Sequence, residues 1–335
     1  MLAALAGVLA WRGAGPAAGL VVFVVAGLCL EALVVSPAVV RKRRAVWADF
    51  DERLARAVSR LPPAQYSVFH TWEFTPKAVE KFRSANPDGL VFRDVVINRE
   101  KEYWSGTSID VEDRYADFFL SPSSFSTRCL VAWGIDAKKV IEIPFGVDSA
   151  RFRPAFSVPA QPFRFAFSGG VSRRKGVDTL LRAWEALALP DAELHLYGRV
   201  REDVKGQLAA ARSVVCHGHV YLPAELPMNH VFVFPSTLEG SAKSVYEALA
   251  CALPVITTEE SGSVVRDGVD GFIVPSCDVD ALVDKMRRLY DDTALRARMA
   301  ASARARAMEF TWDRYARAVV SAYSACILMK RGRIT

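Results

Sequence analysis

Two acidic residues, Glu239 and Glu247, stand eight positions apart in the stretch VFVFPSTLEGSAKSVYEALACALPVITTEESGSVVRDGVDGFIVP, residues 231–275. A four-residue apolar run ends at Pro235, polar residues follow, and Val245, Ala248, Leu249 and Ala252 then recur at helical spacing before Leu253-Pro254. That pattern predicts a buried strand, a loop, a helix over 242–252 and a second strand beginning at Val255. An acid ahead of the first helical turn faces the positive end of the helix, and the backbone N–H groups there can hold an anion. An acid two turns further along reaches a different part of an elongated ligand. Spacing alone favours a capping acid followed by a solvated helix acid.

A second group of residues with chemistry in it follows the apolar run FRFAFS, where Gly169-Gly170 precede VSRRKG. A glycine turn, the cations Arg173, Arg174 and Lys175 and a helix predicted over 177–187 would together cradle phosphates, although the spacing is not that of a Walker loop. The alternative is a solvated basic turn.

Strands and helices alternate along most of the chain, which predicts parallel sheets covered by helices. An amphipathic helix over 45–61 stops at Pro62-Pro63; strands follow at 66–70, within LVFRDVVI and ADFFLSPSS, and at 140–146, with a helix capped by Thr75 and started by Pro76 between them. A Pro-rich linker with Pro154, Pro159 and Pro162 leads to a second series, including strands at 192–198 and 213–220 and terminal helices over 294–308 and 313–329. His217 and His219 have no third partner at metal spacing, and Asp278-Val279-Asp280 reads as a helix N-cap.

The words PSTLEGSAKSVYEALACALPVI resemble the signature of the retaining glycosyltransferases of family 4, also called group 1, whose architecture is GT-B. The stretch ADFFLSPSSFSTRCLVAWGIDAKKVIEIPFGVDSARFRP is similar to the end of that family's first domain. The resemblance implies that Glu239 contacts a donor sugar, that the backbone of Gly240, Ser241, Ala242 and Lys243 holds the sugar and its diphosphate, and that Glu247 takes the ribose hydroxyls. It assigns Lys175 to the leaving diphosphate and the loops at Gly198-Arg199 and Gly218 to Val220 to the base. Four positions depart from the family: Ser241-Ala242 replaces Phe-Gly, Ala252 replaces a Gly, and Gly170 replaces an Arg whose work falls to Arg173 or Arg174. His70, at a strand end, matches a family His that faces the sugar, though a lone His is more often structural.

With 335 residues the chain suggests two domains, and 51% apolar with 24% charged residues indicates a globular protein. A net charge of +6 fits acidic partners such as nucleotide diphosphates or an anionic inner-membrane surface. No basic stripe interleaved with aromatics or known nucleic-acid motif is present, which argues against a nucleic-acid partner. The six cysteines are scattered without a CxxC, as expected of reduced thiols in the cytoplasm. Between Arg12 and Glu31 lie eighteen uncharged residues, followed at 41–44 by RKRR, so 1–40 reads as a candidate membrane anchor or as a strand and helix of the first domain.

The reading is an α/β protein of the GT-B class with two Rossmann-like domains facing a cleft, the first shortened at its start because the family's opening Gly-rich loop is missing. Its parts are a segment at 1–40, an acceptor-side domain at 45–153, a nucleotide-sugar-binding domain at 163–312 and a helix crossing back at 313–335. The expected activity is retaining, metal-independent transfer of a sugar from a nucleotide diphosphate sugar, a co-substrate rather than a cofactor, to a glycan, lipid-linked or small-molecule acceptor. A non-catalytic descendant that binds nucleotide sugar is the rival.

Overall fold

The computed structural model describes residues 22–25, 51–60, 67–71, 75–94 and 115–332, with the main chain alone at 22–25. They form two compact units. The first takes the described residues up to Ser121, Leu130–Ile141 and those from Val320 onward; the second takes Pro122–Cys129 and Glu142–Val319.

In the first unit, β1 (Val22–Val25), β2 (Val68–Thr71), β3 (Leu90–Asp94), β4 (Phe118–Ser121) and β5 (Val140–Glu142) lie side by side in that order. β1 runs parallel to β2, with Val22 opposite Val68. This corrects the anchor reading over 22–25, because a short β-branched run cannot be assigned from its pattern and the neighbouring strand decides it. The rest of the segment lies outside the described residues, and among those described no helix is long and apolar enough to cross a membrane. The expected strand at 140–146 is only three residues long and is not buried. Pro144 has no N–H to continue a ladder, and Val147 instead donates its N–H to Phe310 O at 3.0 Å.

Helix Pro76–Ala85 buries Ala78, Val79 and Phe82 against Phe69, Val91, Leu54 and Val58. Its start is not capped by the Thr75 side chain. Asp51 does that work from the preceding helix at 51–58, its carboxylate accepting from the N–H groups of Lys77 and Ala78, each at 3.0 Å.

The second unit is a six-stranded parallel sheet of β6 (Phe163–Ser168), β7 (Ala192–Tyr197), β8 (Val214–Gly218), β9 (Val231–Phe234), β10 (Val255–Thr258) and β11 (Gly271–Val274). Their order is β11-β10-β9-β6-β7-β8. The chain therefore winds outward from β6 through β7 and β8, returns to β6 as β9, and winds the other way. The winding reverses between β6 and β9, and the carboxyl ends of strands at such a point are where doubly wound sheets hold ligands. Helix Val177–Leu187 has the predicted bounds and buries Leu180, Trp184 and Leu187 on one face, packing on helix Val279–Asp291. Each such side chain contributes about 1.5–3 kcal/mol of transfer free energy. Asp278 caps helix Val279–Asp291 as expected, accepting from Ala281 N at 2.9 Å.

Ala252, which follows helix Lys243–Ala250, lies at φ 59°. That left-handed conformation is the one a glycine takes freely and an alanine resists. Ala252→Gly should therefore stabilise the protein by about 0.5–1 kcal/mol after the added chain entropy of glycine is counted, measured as a higher urea midpoint; a lower midpoint would show that the alanine is unstrained there.

Candidate functional site

The loops after β6 and β9 are joined at the switch point. The carbonyl of Arg174 accepts from Thr237 N at 3.0 Å, from Thr237 Oγ1 at 2.9 Å and from Ser236 Oγ at 3.2 Å. Gly176, at φ 71°, sits so close beneath the other loop that a Cβ there would meet Pro235 O at 1.8 Å. Only glycine permits both the conformation and the approach.

This seam brings three charged side chains together. Glu239 Oε1 lies 2.8 Å from Arg174 Nη1 and 3.0 Å from Lys175 Nζ. The carboxylate is 11% exposed, Lys175 is 18% exposed, and Arg174 is 42% exposed and also donates to Leu238 O at 2.6 Å. Lys175 Nζ stands 5.3 Å from the centre of the Phe234 ring at the end of β9. A Cβ on Gly169 would lie 3.4 Å from Lys175 Nζ, so Gly169 leaves the ammonium uncovered on that side. Of the two arginines expected to share the charge, Arg174 faces Glu239. Arg173 is tied elsewhere, its N–H donating to Asp203 Oδ2 at 3.0 Å and its Nε to Asp203 O at 3.1 Å. A Cβ on Gly170 would meet no atom within 4 Å, so that position has room for a side chain.

Glu239 leads into Gly240, Ser241 and Ala242, all buried, and helix Lys243–Ala250 begins next. The Gly240 carbonyl accepts from Ser123 Oγ at 2.6 Å and Ser126 Oγ at 2.8 Å. Because the peptide is planar and trans, this turns the N–H of Ser241 the opposite way. Ser241 Oγ is 3.2 Å from Tyr246 OH, and Ala242 has an ordinary extended backbone at φ −78°, so the departure from Phe-Gly introduces no strain.

Glu247 faces different surroundings. It lines a cavity of about 160 Å³ with Lys243, Arg151, Asp148, Phe152 and Trp312. Burial, partly offset by Lys243 and then Arg151, pushes its carboxyl up from an ordinary 4.5 to about 7. The two acids thus occupy distinct settings, one paired to cations and one poised to lose a proton near neutrality. Sequence reasoning missed Asp148, Arg151 and Trp312; the Gly-Val-Asp at 146–148 signalled a domain end, and Trp312 is too distant in the chain for any spacing to expose it.

Of the remaining expected residues, Gly198 borders the loop after β6 and His70 lies in the first unit. Gly198, at φ 133°, packs so that a Cβ would meet Gly169 O at 2.0 Å, while Arg199 is exposed and Val220 is 38% exposed. His70 belongs to the first unit, 2% exposed, with Nδ1 hydrogen-bonded to Tyr323 OH and Nε2 3.0 Å from Asp94 Oδ2. Among the described residues no three His, Cys, Asp or Glu side chains converge as metal ligands would.

Residues 162–292 match the family model of the group 1 glycosyl transferases. That span holds the whole Arg174, Lys175, Glu239 and Glu247 constellation. A D-inositol 3-phosphate glycosyltransferase of Arthrobacter sp. strain FB24 is 32% identical over 208 residues, 55% of this chain and 49% of the relative. A protein of the same name from Salinispora arenicola is 30% identical over 227 residues, 57% and 51% of the two chains. The chain thus spans about half the length of the curated relatives it matches. Anabaena HepE in complex with UDP superposes with a TM-score of 0.69 at 18% identity, covering 82% of each chain. A Rickettsia africae glycosyltransferase gives 0.68 at 16% identity, covering 89% of this chain and 84% of its own. These likenesses establish the fold as that of the GT-B glycosyltransferases.

Two outcomes follow from this geometry. Arg174→Ala should weaken binding of a nucleoside diphosphate about tenfold or more, and Arg173→Ala less, by calorimetry at low and high salt; equal losses would place both arginines on the ligand. For Glu247, the unfolded chain releases its proton near pH 4.5 while the folded one keeps it to about 7. Stability should fall as pH rises through that window, by roughly 3 kcal/mol. Glu247→Gln should remove the loss, so its advantage over wild type in urea unfolding should be larger at pH 8 than at pH 5.

Proposed function

We propose that this chain carries the donor-binding and catalytic half of a retaining glycosyltransferase that uses a nucleotide diphosphate sugar without a metal ion. The observation that carries the reading is the pairing of Glu239 with Lys175 and Arg174 where the sheet's winding reverses, with three residues between Glu239 and the start of helix Lys243–Ala250. The match of residues 162–292 to the group 1 glycosyl transferases supports it.

In this mechanism the bond from the anomeric carbon to the diphosphate oxygen breaks as a bond to the acceptor oxygen forms. The acceptor proton passes to the leaving phosphate on the same face, which retains configuration. Negative charge grows on that phosphate, and Lys175, Arg174 and the N–H groups of Gly240, Ser241 and Lys243 receive it, the Ala242 N–H being taken by Ser261 O at 3.0 Å. Glu239, relieved of its cations by the diphosphate, faces the sugar, and Glu247 accepts from the ribose hydroxyls. Gly198, Arg199 and Val220 border the base. The acceptor is a glycan, a lipid-linked glycan or a small polyol, and the relatives' name makes D-inositol 3-phosphate the first to test. Cell-surface polysaccharide or glycolipid synthesis at the inner membrane surface completes the reading; His70, buried against Tyr323 and Asp94, is structural rather than acceptor-facing.

A non-catalytic binder is favoured by one observation, Gly170 where the family has an Arg. The discriminating experiment is incubation of the protein with UDP-, GDP- and ADP-sugars and D-inositol 3-phosphate, with products and anomeric configuration read by NMR. Glu239→Gln should lower turnover at least tenfold while leaving nucleotide affinity within a few-fold. Tight nucleotide binding with no transfer to any acceptor tried would support the binder, and an inverted product would overturn the retaining mechanism.

A further inference from the structure

One face of β6, β7 and β8 carries a chain of polar side chains where a parallel sheet usually carries apolar ones. Glu193, His195 and Tyr197 alternate along β7, and His195 and Tyr197 are buried. His195 Nε2 is 2.9 Å from Glu193 Oε2, and His195 Nδ1 is 3.0 Å from His217 Nε2 on β8. The carboxylate can only accept, so His195 donates from Nε2, which leaves its neutral ring an acceptor at Nδ1 for the Nε2–H of His217. The His217 ring also stacks on Tyr197, with centres 4.5 Å apart at 16°.

His217 stands at an irregularity in the sheet. The β7–β8 register runs Leu196 opposite Cys216 and then Tyr197 opposite Gly218, which leaves His217 as the extra residue. Such a bulge re-aims a side chain and bends the strand beyond it. Immediately past it Gly198 N donates to Gly218 O at 2.8 Å, with Gly198 at φ 133° and Gly218 at φ 64°. These two glycines open the loops at Gly198-Arg199 and Gly218 to Val220.

We propose that the His195–His217 hydrogen bond is a positioning element that holds the two base-facing loops together and releases them when both rings are protonated. The loops' role rests on the proposed function; the coupling of the pair to the Gly198–Gly218 contact does not. The first proton leaves the bond intact, because one ring keeps an acceptor nitrogen. The second places two N–H groups face to face and breaks it. Burial lowers the His217 pKa below its ordinary 6.5, and the neighbouring His195 adds to that. The charged and titratable groups around the pair are Glu193 and Tyr197 on β7, Arg164 on β6, with Nε 4.0 Å from Glu193 Oε2, and Glu225 in the segment after β8. Around His217 the carboxylates favour a proton and Arg164 opposes it, with burial the larger influence, so release falls on the acid side of an ordinary histidine.

The test has two arms on the full chain. In the ligand-free protein, the hydrogen-exchange protection factor of the Gly198 amide is followed from pH 7.5 to 5. It should fall about tenfold or more as the pH is lowered through that range in wild type, and should show no such step in His217→Gln or His195→Gln. In the second arm UDP, GDP and ADP are titrated over the same range, and affinity should fall with the same midpoint in wild type but not in the glutamine variants. Protection that is independent of pH in wild type, or a step that persists in both variants, overturns the inference. Should wild type bind none of the three nucleotides, the proposed function fails while the protection arm still decides the inference. Should His217→Gln fail to fold, His195→Gln alone carries the comparison.

Discussion

Glu239 presents one oxygen to two cations, and the surrounding structure follows from that arrangement. Arg174 and Lys175 are adjacent in the loop after β6, and Glu239 lies in the loop after β9, so the contact at 2.8 and 3.0 Å exists only because those strands are neighbours in the sheet. A carboxylate with so little exposure would be costly to leave alone, and here it has two partners. The same pairing keeps two cations concentrated beside a helix N-terminus. In the proposed reaction an incoming diphosphate would meet positive charge already in place and would displace the Glu239 carboxylate from it.

Close backbone approach is the second constraint. Gly176 passes beneath Pro235 and Gly198 beneath Gly169, each at a distance that excludes a Cβ. These contacts join the loops after β6, β7 and β9 into one surface, and hydrogen bonds from Thr237 and Ser236 to the Arg174 carbonyl reinforce the seam. Rigidity of this kind places the charged groups before any ligand arrives, which is how electrostatic stabilisation becomes effective.

The first unit shows the same economy in another form. Asp51, buried and far in sequence from the helix it caps, satisfies two N–H groups that Thr75 leaves open. His70, Tyr323 and Asp94 form a second buried polar contact, each nitrogen of the histidine facing one of the others. Polar groups in these positions need partners, and the chain supplies them from distant segments.

Much of this was legible in the residues themselves. Alternating apolar runs and amphipathic helices, the breakers Pro235 and Leu253-Pro254, and the acids at 239 and 247 sufficed for the fold class, for the bounds of helix Val177–Leu187 and for the loops that bear charge. Such features are local, since period, capping and turn chemistry act over a few residues. What only the tertiary structure decided depends on segments far apart in the chain. It chose Arg174 over Arg173 for Glu239, because Asp203 takes Arg173. It made β1 of Val22–Val25 by setting it beside β2, surrounded Glu247 with Arg151 and Trp312, and turned His217 toward His195 through a bulge. Periodicity records which residues share a face; which side chain meets which across a sheet or between loops is set by strand order and register, and a single sequence does not encode those in its spacing.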